Sequence, residues 1–295
     1  MKRLIRDIAA QLESAYPKDE AESLAWWIVE EETGLSRTEI QIGCKDTTIF
    51  ANMQKIQAII DRLLHFEPIQ YIFGHTLWNG LDLKVTPATL IPRPETAELV
   101  ETINEKIRKC ENEKIVSVLD IGTGSGCIAI ALKKVHPEWQ VTGIDISPEA
   151  IEIAKENAKH NNVEVDFLVA DIFDSNEKAF DFCLSTFDLI VSNPPYICES
   201  EKASMRPNVL DYEPASALFV PDNDPLRFYR RIAELFFRTP YTIHRTPKYL
   251  FFEINEAYPA ELSAMLDGLG YTDIIVTNDI YGKPRIIEAR MVQQS

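Results

Sequence analysis

Val118-Leu119-Asp120-Ile121-Gly122-Thr123-Gly124-Ser125-Gly126-Cys127-Ile128-Ala129-Ile130 reads as the end of a strand, a glycine turn and the first turn of a helix. The run Ile115–Asp120 is short, apolar and β-branched, whereas Ile128, Ala129, Ala131 and Leu132 follow helical spacing. Three glycines at alternate positions allow a sharp turn and bring a ligand against the main chain, where a Cβ would intrude. Their G-x-G-x-G spacing differs from the G-x-G-x-x-G of dinucleotide folds. No Gly-Lys-Ser/Thr follows, which excludes a P-loop. A plain strand-to-helix turn without a ligand is the alternative.

Working outward, helical patterns alternate with further strand candidates at Gln140–Asp145, Val165–Val169, Phe187–Ser192 and Tyr249–Ile254, the pattern of a parallel sheet covered on both faces. Asp273–Ile280 and Arg285–Val292 are separated by only Tyr281-Gly282-Lys283-Pro284, too short for a parallel crossover, so these two strands are expected to be antiparallel. Asp145 closes the second strand, where an acidic side chain can accept both hydroxyls of a ribose. Ser147-Pro148 then supplies an N-cap and an N1 proline to a helix with Ala150, Ile151, Ala154 and Ala158 as its inward stripe. The glycine loop, the acid before it and the reversed terminal hairpin resemble class I S-adenosylmethionine-dependent methyltransferases. That resemblance implies an α/β, Rossmann-like sheet, with S-adenosylmethionine held by Gly122, Thr123, Gly124, Ser125, Gly126 and Asp145. It also places the adenine at the third strand end, Val169-Ala170-Asp171-Ile172. There Asp171 either accepts from the exocyclic amine or caps the following turn, and Ile172 covers the ring.

The fourth strand runs into Asn193-Pro194-Pro195-Tyr196, a tetrapeptide expected by chance on the order of once in a thousand chains of this length. Two prolines stiffen the turn and leave its carbonyls outside any ladder. Asn193 adds a carbonyl acceptor and an amide donor, and Tyr196 a flat face. This describes a planar slot for an –NH2 on an sp² carbon. Amide nitrogen is a poor nucleophile, so position must do the work: Asn193 Oδ1 and the Pro194 carbonyl can hold both N–H bonds and aim the nitrogen.

Adenine amines and glutamine side chains both meet that description. Glu67-Pro68-Ile69-Gln70-Tyr71-Ile72-Phe73-Gly74, Leu90-Ile91-Pro92-Arg93-Pro94-Glu95-Thr96, Tyr212-Glu213-Pro214-Ala215-Ser216-Ala217-Leu218 and Asp279-x-x-Gly282-x-x-Arg285 resemble the peptide chain release factor glutamine methyltransferases of the HemK/PrmC type over nearly the whole chain. The resemblance implies a cytoplasmic enzyme that methylates the glutamine of the Gly-Gly-Gln motif in class 1 release factors. In it Asn193 borders the cofactor, and Asn193, Pro194, Pro195 and Tyr196 hold the substrate. Arg93 and Glu95 border the cleft or form an interdomain ion pair; Glu253 faces the cleft or solvent. Arg238-Thr239-Pro240 to Pro247 departs from the glycine-rich turn usual before the fifth strand, and His244 there reads as a loop residue rather than a base.

Residues 1–66 carry helix-period stripes (Ile5, Ile8, Ala9, Leu12; Leu24, Trp27, Ile28; Ile56, Ile59, Ile60, Leu63, Leu64) and read as a small helical bundle, to which the resemblance gives a part in docking the protein substrate. Residues 67–95, with Asn79-Gly80, read as a β-hairpin connector, and 96–295 as the catalytic domain. The 295 residues are 45% hydrophobic and 26% charged, which excludes a disordered chain. Apolar runs of about five to eight residues are too short for a membrane span, and the N-terminus lacks a secretory h-region. Five dispersed cysteines, Cys44, Cys110, Cys127, Cys183 and Cys198, show no metal-ligand spacing and read as buried thiols. Net charge is -16, and residues 96–295 hold 20 basic against 32 acidic side chains, contrary to the basic groove that an adenine N6-methyltransferase on DNA or RNA needs. No direct nucleic-acid binding and no metal centre are expected.

Overall fold

The computed structural model describes residues 1–43, 53–109, 115, 117–174, 187–238 and 248–291. Cys44, Cys110, Cys183, His244 and the 239–247 loop lie outside the described residues. The chain divides into two compact units, one of residues 1–74 with 206–212, the other of 75–205 with 213–295.

The first unit contains α1 (Lys2–Leu12), α2 (Lys18–Thr33), α3 (Arg37–Ile42), α4 (Met53–Leu64) and α5 (Ile69–Phe73). Ile5, Ile8 and Leu12 of α1 and Ile56, Ile59, Ile60 and Leu63 of α4 are buried in its core. On α2 the buried face is Ala21, Ala25, Ile28 and Val29; Leu24 and Trp27, which the spacing places inward, pack only at its edge. Small residues let α2 approach closely, and the larger pair is displaced to the flank. Arg206 Nη2 donates to Glu20 Oε2 at 2.9 Å and the Tyr212 hydroxyl to the His65 carbonyl at 2.9 Å, so residues 206–212 join this unit.

In the second unit β1 (His75–Trp78) and β2 (Leu81–Lys84) form a hairpin through Asn79-Gly80, both at positive φ. There follow α6 (Pro94–Lys109), β3 (Ser117–Ile121), α7 (Cys127–Val135), β4 (Gln140–Asp145), α8 (Pro148–His160), β5 (Asp166–Val169), β6 (Leu189–Ser192), β7 (Ile197–Cys198), α9 (Pro207–Leu210, in the first unit), β8 (Phe219–Val220), α10 (Arg227–Arg238), β9 (Lys248–Glu253), α11 (Pro259–Gly268), β10 (Thr272–Asn278) and β11 (Pro284–Met291). Seven described strands form one sheet in the order β10-β11-β9-β6-β3-β4-β5. Pairs among β9, β6, β3, β4 and β5 are parallel; β11 runs antiparallel to both β9 and β10, as the short final connection requires.

Alternation along each strand feeds two cores. Val118, Val191, Phe251 and Ile286 enter one, and Leu119, Ile190, Leu250 and Ile287 the other. Sheet order reverses at β3, with β4 on one side and β6 on the other, so the loops after β3 and β6 open a crevice at the strands' carboxyl ends. Among the described residues no helix is long and apolar enough to cross a membrane.

Candidate active site

The β3–α7 loop is held from below. Gly122 and Thr123 N–H both donate to the Ile144 carbonyl at 2.9 Å, and Thr123 Oγ1 donates to Asp120 Oδ2 at 2.6 Å. Asn157 Nδ2 donates to the Ser125 carbonyl at 2.8 Å and to that of Lys84 at 3.0 Å, joining the loop to the hairpin. At Gly126 a Cβ would lie 3.1 Å from each of Ala154 Cβ, Ile130 Cδ1 and Phe167 Cζ, so this glycine serves helix–sheet packing. Thr123, Ser125 and Gly126 do not line the adjoining cavity, because their atoms are committed to holding the loop; Gly122 and Gly124 do line it. Both have positive φ, 72° and 56°, and a Cβ at either would contact essentially no protein atom. The space beside them is the cavity itself.

That cavity has a volume of about 460 Å³, within the range of small-molecule sites. Asp145 stands in its wall, with Oδ2 accepting from Gly124 N–H and Oδ1 from Ser147 N–H, each at 2.9 Å. A carboxylate has about four lone-pair sites, so acceptor capacity for a diol remains. Burial raises the Asp145 pKa against the pull of these backbone bonds. Asp171 and Ile172 also line the wall. Asp171 Oδ1 accepts from Phe173 N–H at 2.8 Å, so it caps its turn as well as facing the cavity. Phe173, Phe228 and Arg227 complete this side, with the Arg227 guanidinium 4.8 Å above the Phe173 ring. Nothing in the local spacing marks those three.

Asp120 is completely buried, and desolvation pushes its pKa up to about 7. Between about pH 4 and pH 7 the folded chain therefore holds a proton that the unfolded chain has released, so stability falls as pH rises through that window and levels off above it. Asp120→Asn is expected to remove this part of the pH dependence of the melting temperature. Identical slopes in variant and wild type would show that the carboxyl is ionised throughout.

Across the cavity, β6 delivers Asn193, Pro194 and Pro195 to the wall; Tyr196 lies just beyond and does not line it. Asn193 Nδ2 donates to Thr96 Oγ1 at 3.3 Å, while Thr96 Oγ1 donates to Glu253 Oε2 at 2.6 Å. The Tyr196 hydroxyl donates to Glu253 Oε1 at 3.2 Å, and burial together with the charge of Glu253 raises its pKa far above the usual phenol range. Glu253 is thus buried beneath the turn, in neither the cleft nor solvent. Among the described residues no donor reaches Asn193 Oδ1 or the Pro194 carbonyl. Arg93 Nη2 donates to Glu213 Oε1 at 2.5 Å, and Glu213 Oε2 accepts from Ile91 N–H at 3.1 Å; both partners belong to the second unit. Neither Arg93 nor Glu95 lines the cavity. Cys127 and Cys198 are buried free thiols.

A reversing parallel sheet with an antiparallel terminal hairpin, and a cavity between its glycine loop and the turn after β6, define a class I methyltransferase. Residues 112–224 match the Methyltransferase domain family and residues 3–74 the PrmC N-terminal domain family. The release factor glutamine methyltransferase of Bacteroides thetaiotaomicron is 44% identical over 98% of this chain and 99% of its own length. That of Flavobacterium psychrophilum is 40% identical over 94% of each. The catalytic domain of hMettl16, in complex with the MAT2A 3'UTR hairpin 6, shares the fold at a TM-score of 0.53 and 17% identity, covering 73% of this chain and 77% of that one. The chain belongs to the release factor glutamine methyltransferase family.

Proposed function

We propose that this protein transfers a methyl group from S-adenosylmethionine to the side-chain nitrogen of the glutamine in the Gly-Gly-Gln motif of a class 1 release factor, in the cytoplasm. The single observation that carries the reading is the pair of uncommitted acceptors, Asn193 Oδ1 and the Pro194 carbonyl, at a cavity that also reaches Gly122, Gly124 and Asp145.

S-adenosylmethionine, when bound, supplies an electrophilic methyl on a sulfonium. Gly122 and Gly124 offer main chain without side chain, Asp145 accepts from the ribose, Ile172 covers the adenine and Asp171 Oδ2 accepts from its amine. On the other wall, Asn193 Oδ1 and the Pro194 carbonyl accept the two N–H bonds of the glutamine amide and orient its nitrogen. As the nitrogen takes the methyl and the donor's S–C bond breaks to leave a neutral thioether, those N–H groups become more acidic and the same hydrogen bonds strengthen in the transition state; one of the two protons is then released to water. Pro194 and Pro195 keep the slot from relaxing. The helical residues 1–66 serve to dock the protein substrate.

Incubation of the full chain with cofactor and a release factor, followed by mass spectrometry, is expected to show one added methyl on the Gly-Gly-Gln peptide and none on duplex DNA. Methylated adenine with an unmodified release factor would overturn the reading.

A further inference from the structure

Three elements converge behind Asn193: Thr96 from the first turn of α6, 2% exposed; Glu253 from the end of β9, 1% exposed; and Tyr196 from the turn itself. Thr96 has a single hydroxyl proton, and Glu253 Oε2 takes it at 2.6 Å. Toward Asn193 the hydroxyl can then offer only lone pairs. It accepts from Asn193 Nδ2 at 3.3 Å, and the amide must present its other end, Oδ1, away from Thr96. Glu253 Oε1 accepts from Tyr196, and Asn255 Nδ2 donates to the Tyr196 carbonyl at 3.0 Å, so both ends of the tetrapeptide are tied to the floor. An isolated asparagine amide has no such preference, since its two ends differ little in shape.

We propose that Glu253, acting through the Thr96 hydroxyl, is a positioning residue that fixes the amide polarity of Asn193 and so makes the slot accept N–H groups and refuse carbonyl or carboxylate oxygens. This rests on the reading that Asn193 holds the substrate amide. Thr96 and Glu253 touch neither substrate nor cofactor in that reading; they decide which atom of Asn193 does. Besides Thr96 and Tyr196, the groups around Glu253 are Glu95 on α6, Arg285 on β11 and Tyr229 on α10, whose hydroxyl donates to the Glu253 carbonyl at 3.0 Å. Burial raises the Glu253 pKa, opposed by the Thr96 and Tyr196 hydrogen bonds and by Arg285. Acidification that protonates Glu253 turns an acceptor into a donor, frees the Thr96 proton toward Asn193 and reverses the amide.

The test uses full-length wild type, Thr96→Ser, Thr96→Val and Glu253→Gln with cofactor and release factor, measuring kcat and KM across pH together with cofactor affinity. Thr96→Ser keeps the hydroxyl and is expected to stay within about 3-fold of wild-type kcat, while Thr96→Val loses on the order of 30- to 100-fold in kcat with unchanged cofactor affinity. Equal losses in the Ser and Val variants, or none in Val, would overturn the proposal. Should Thr96→Val not fold, Glu253→Gln decides: it is expected to lower kcat and to lack the acid limb expected of wild type, and a limb equal in both proteins, or absent from wild type, would refute the role. A wild type that leaves the release factor unmethylated defeats the functional reading itself, and this inference with it.

Discussion

Asn193→Ala is expected to lower kcat by about 10³-fold while cofactor affinity and melting temperature stay near wild type. The substitution removes the Oδ1 acceptor and leaves the Pro194 carbonyl as the lone hydrogen-bond partner of the incoming amide. An acceptor whose bond strengthens as charge develops is worth roughly 3–4 kcal/mol at the transition state, and a nitrogen held at one N–H can rotate out of line. Stability should change little, because Asn193 is half-buried and, among the described residues, its side chain bonds only Thr96, at a long 3.3 Å. Steady-state kinetics and calorimetric cofactor titration read the two effects separately. A variant with wild-type kcat would remove Asn193 from the slot. Asn193→Asp should rescue little: Thr96 has committed its proton to Glu253, so an aspartate oxygen would meet only lone pairs there.

The second large effect concerns folding. Gly143 of β4 lies opposite Asp120 of β3, and a Cβ on it would stand 2.6 Å and 2.7 Å from the Phe167 ring and 2.8 Å from Thr123 Oγ1. Neither neighbour can yield easily. Phe167 is part of the core on that face, and Thr123 is locked to buried Asp120 at 2.6 Å. Overpacking of this kind costs about 1–3 kcal/mol, so Gly143→Ala should lower the unfolding free energy, read by denaturant titration, by that amount. Valine should do worse. Because Thr123 is the pillar of the glycine loop, cofactor affinity should fall with stability. A loss below about 0.5 kcal/mol would mean that the ring moves freely and that the contact is incidental.

Gly143 shows where sequence reasoning stops. A glycine inside a strand signals close approach, but which atoms approach depends on β5 lying beside β4, and no local pattern contains that. Thr96 closes the Leu90–Thr96 segment and Asn157 sits in a helix interior, but what each holds lies beyond local pattern, since their partners are 157 and as many as 73 residues away. Glu253 closes a strand in the sequence, but its place beneath the turn is fixed only by Thr96 and Tyr196, which claim both its oxygens. On α2 Ile28 is buried as its spacing implies, but close helix packing turns Ala21 and Ala25 inward and leaves Leu24 and Trp27 at the core's edge. By contrast the places of Asp145, Asp171, Ile172 and Asn193 on the cavity wall are legible, because each lies at or just past the end of a strand and strands announce themselves by periodicity.

By itself the sequence determined the strand–loop–helix unit, the parallel sheet with its reversed last strand, and the stiff turn after β6, because these depend on neighbouring residues whose φ restrictions and alternation act locally. Tertiary structure alone decided which loop residues reach the cavity, which merely brace it, and which end of Asn193 is presented. Those outcomes depend on hydrogen-bond partners brought from α6, β9 and α8, and a proton shared across such distances has no signature in the linear order of residues.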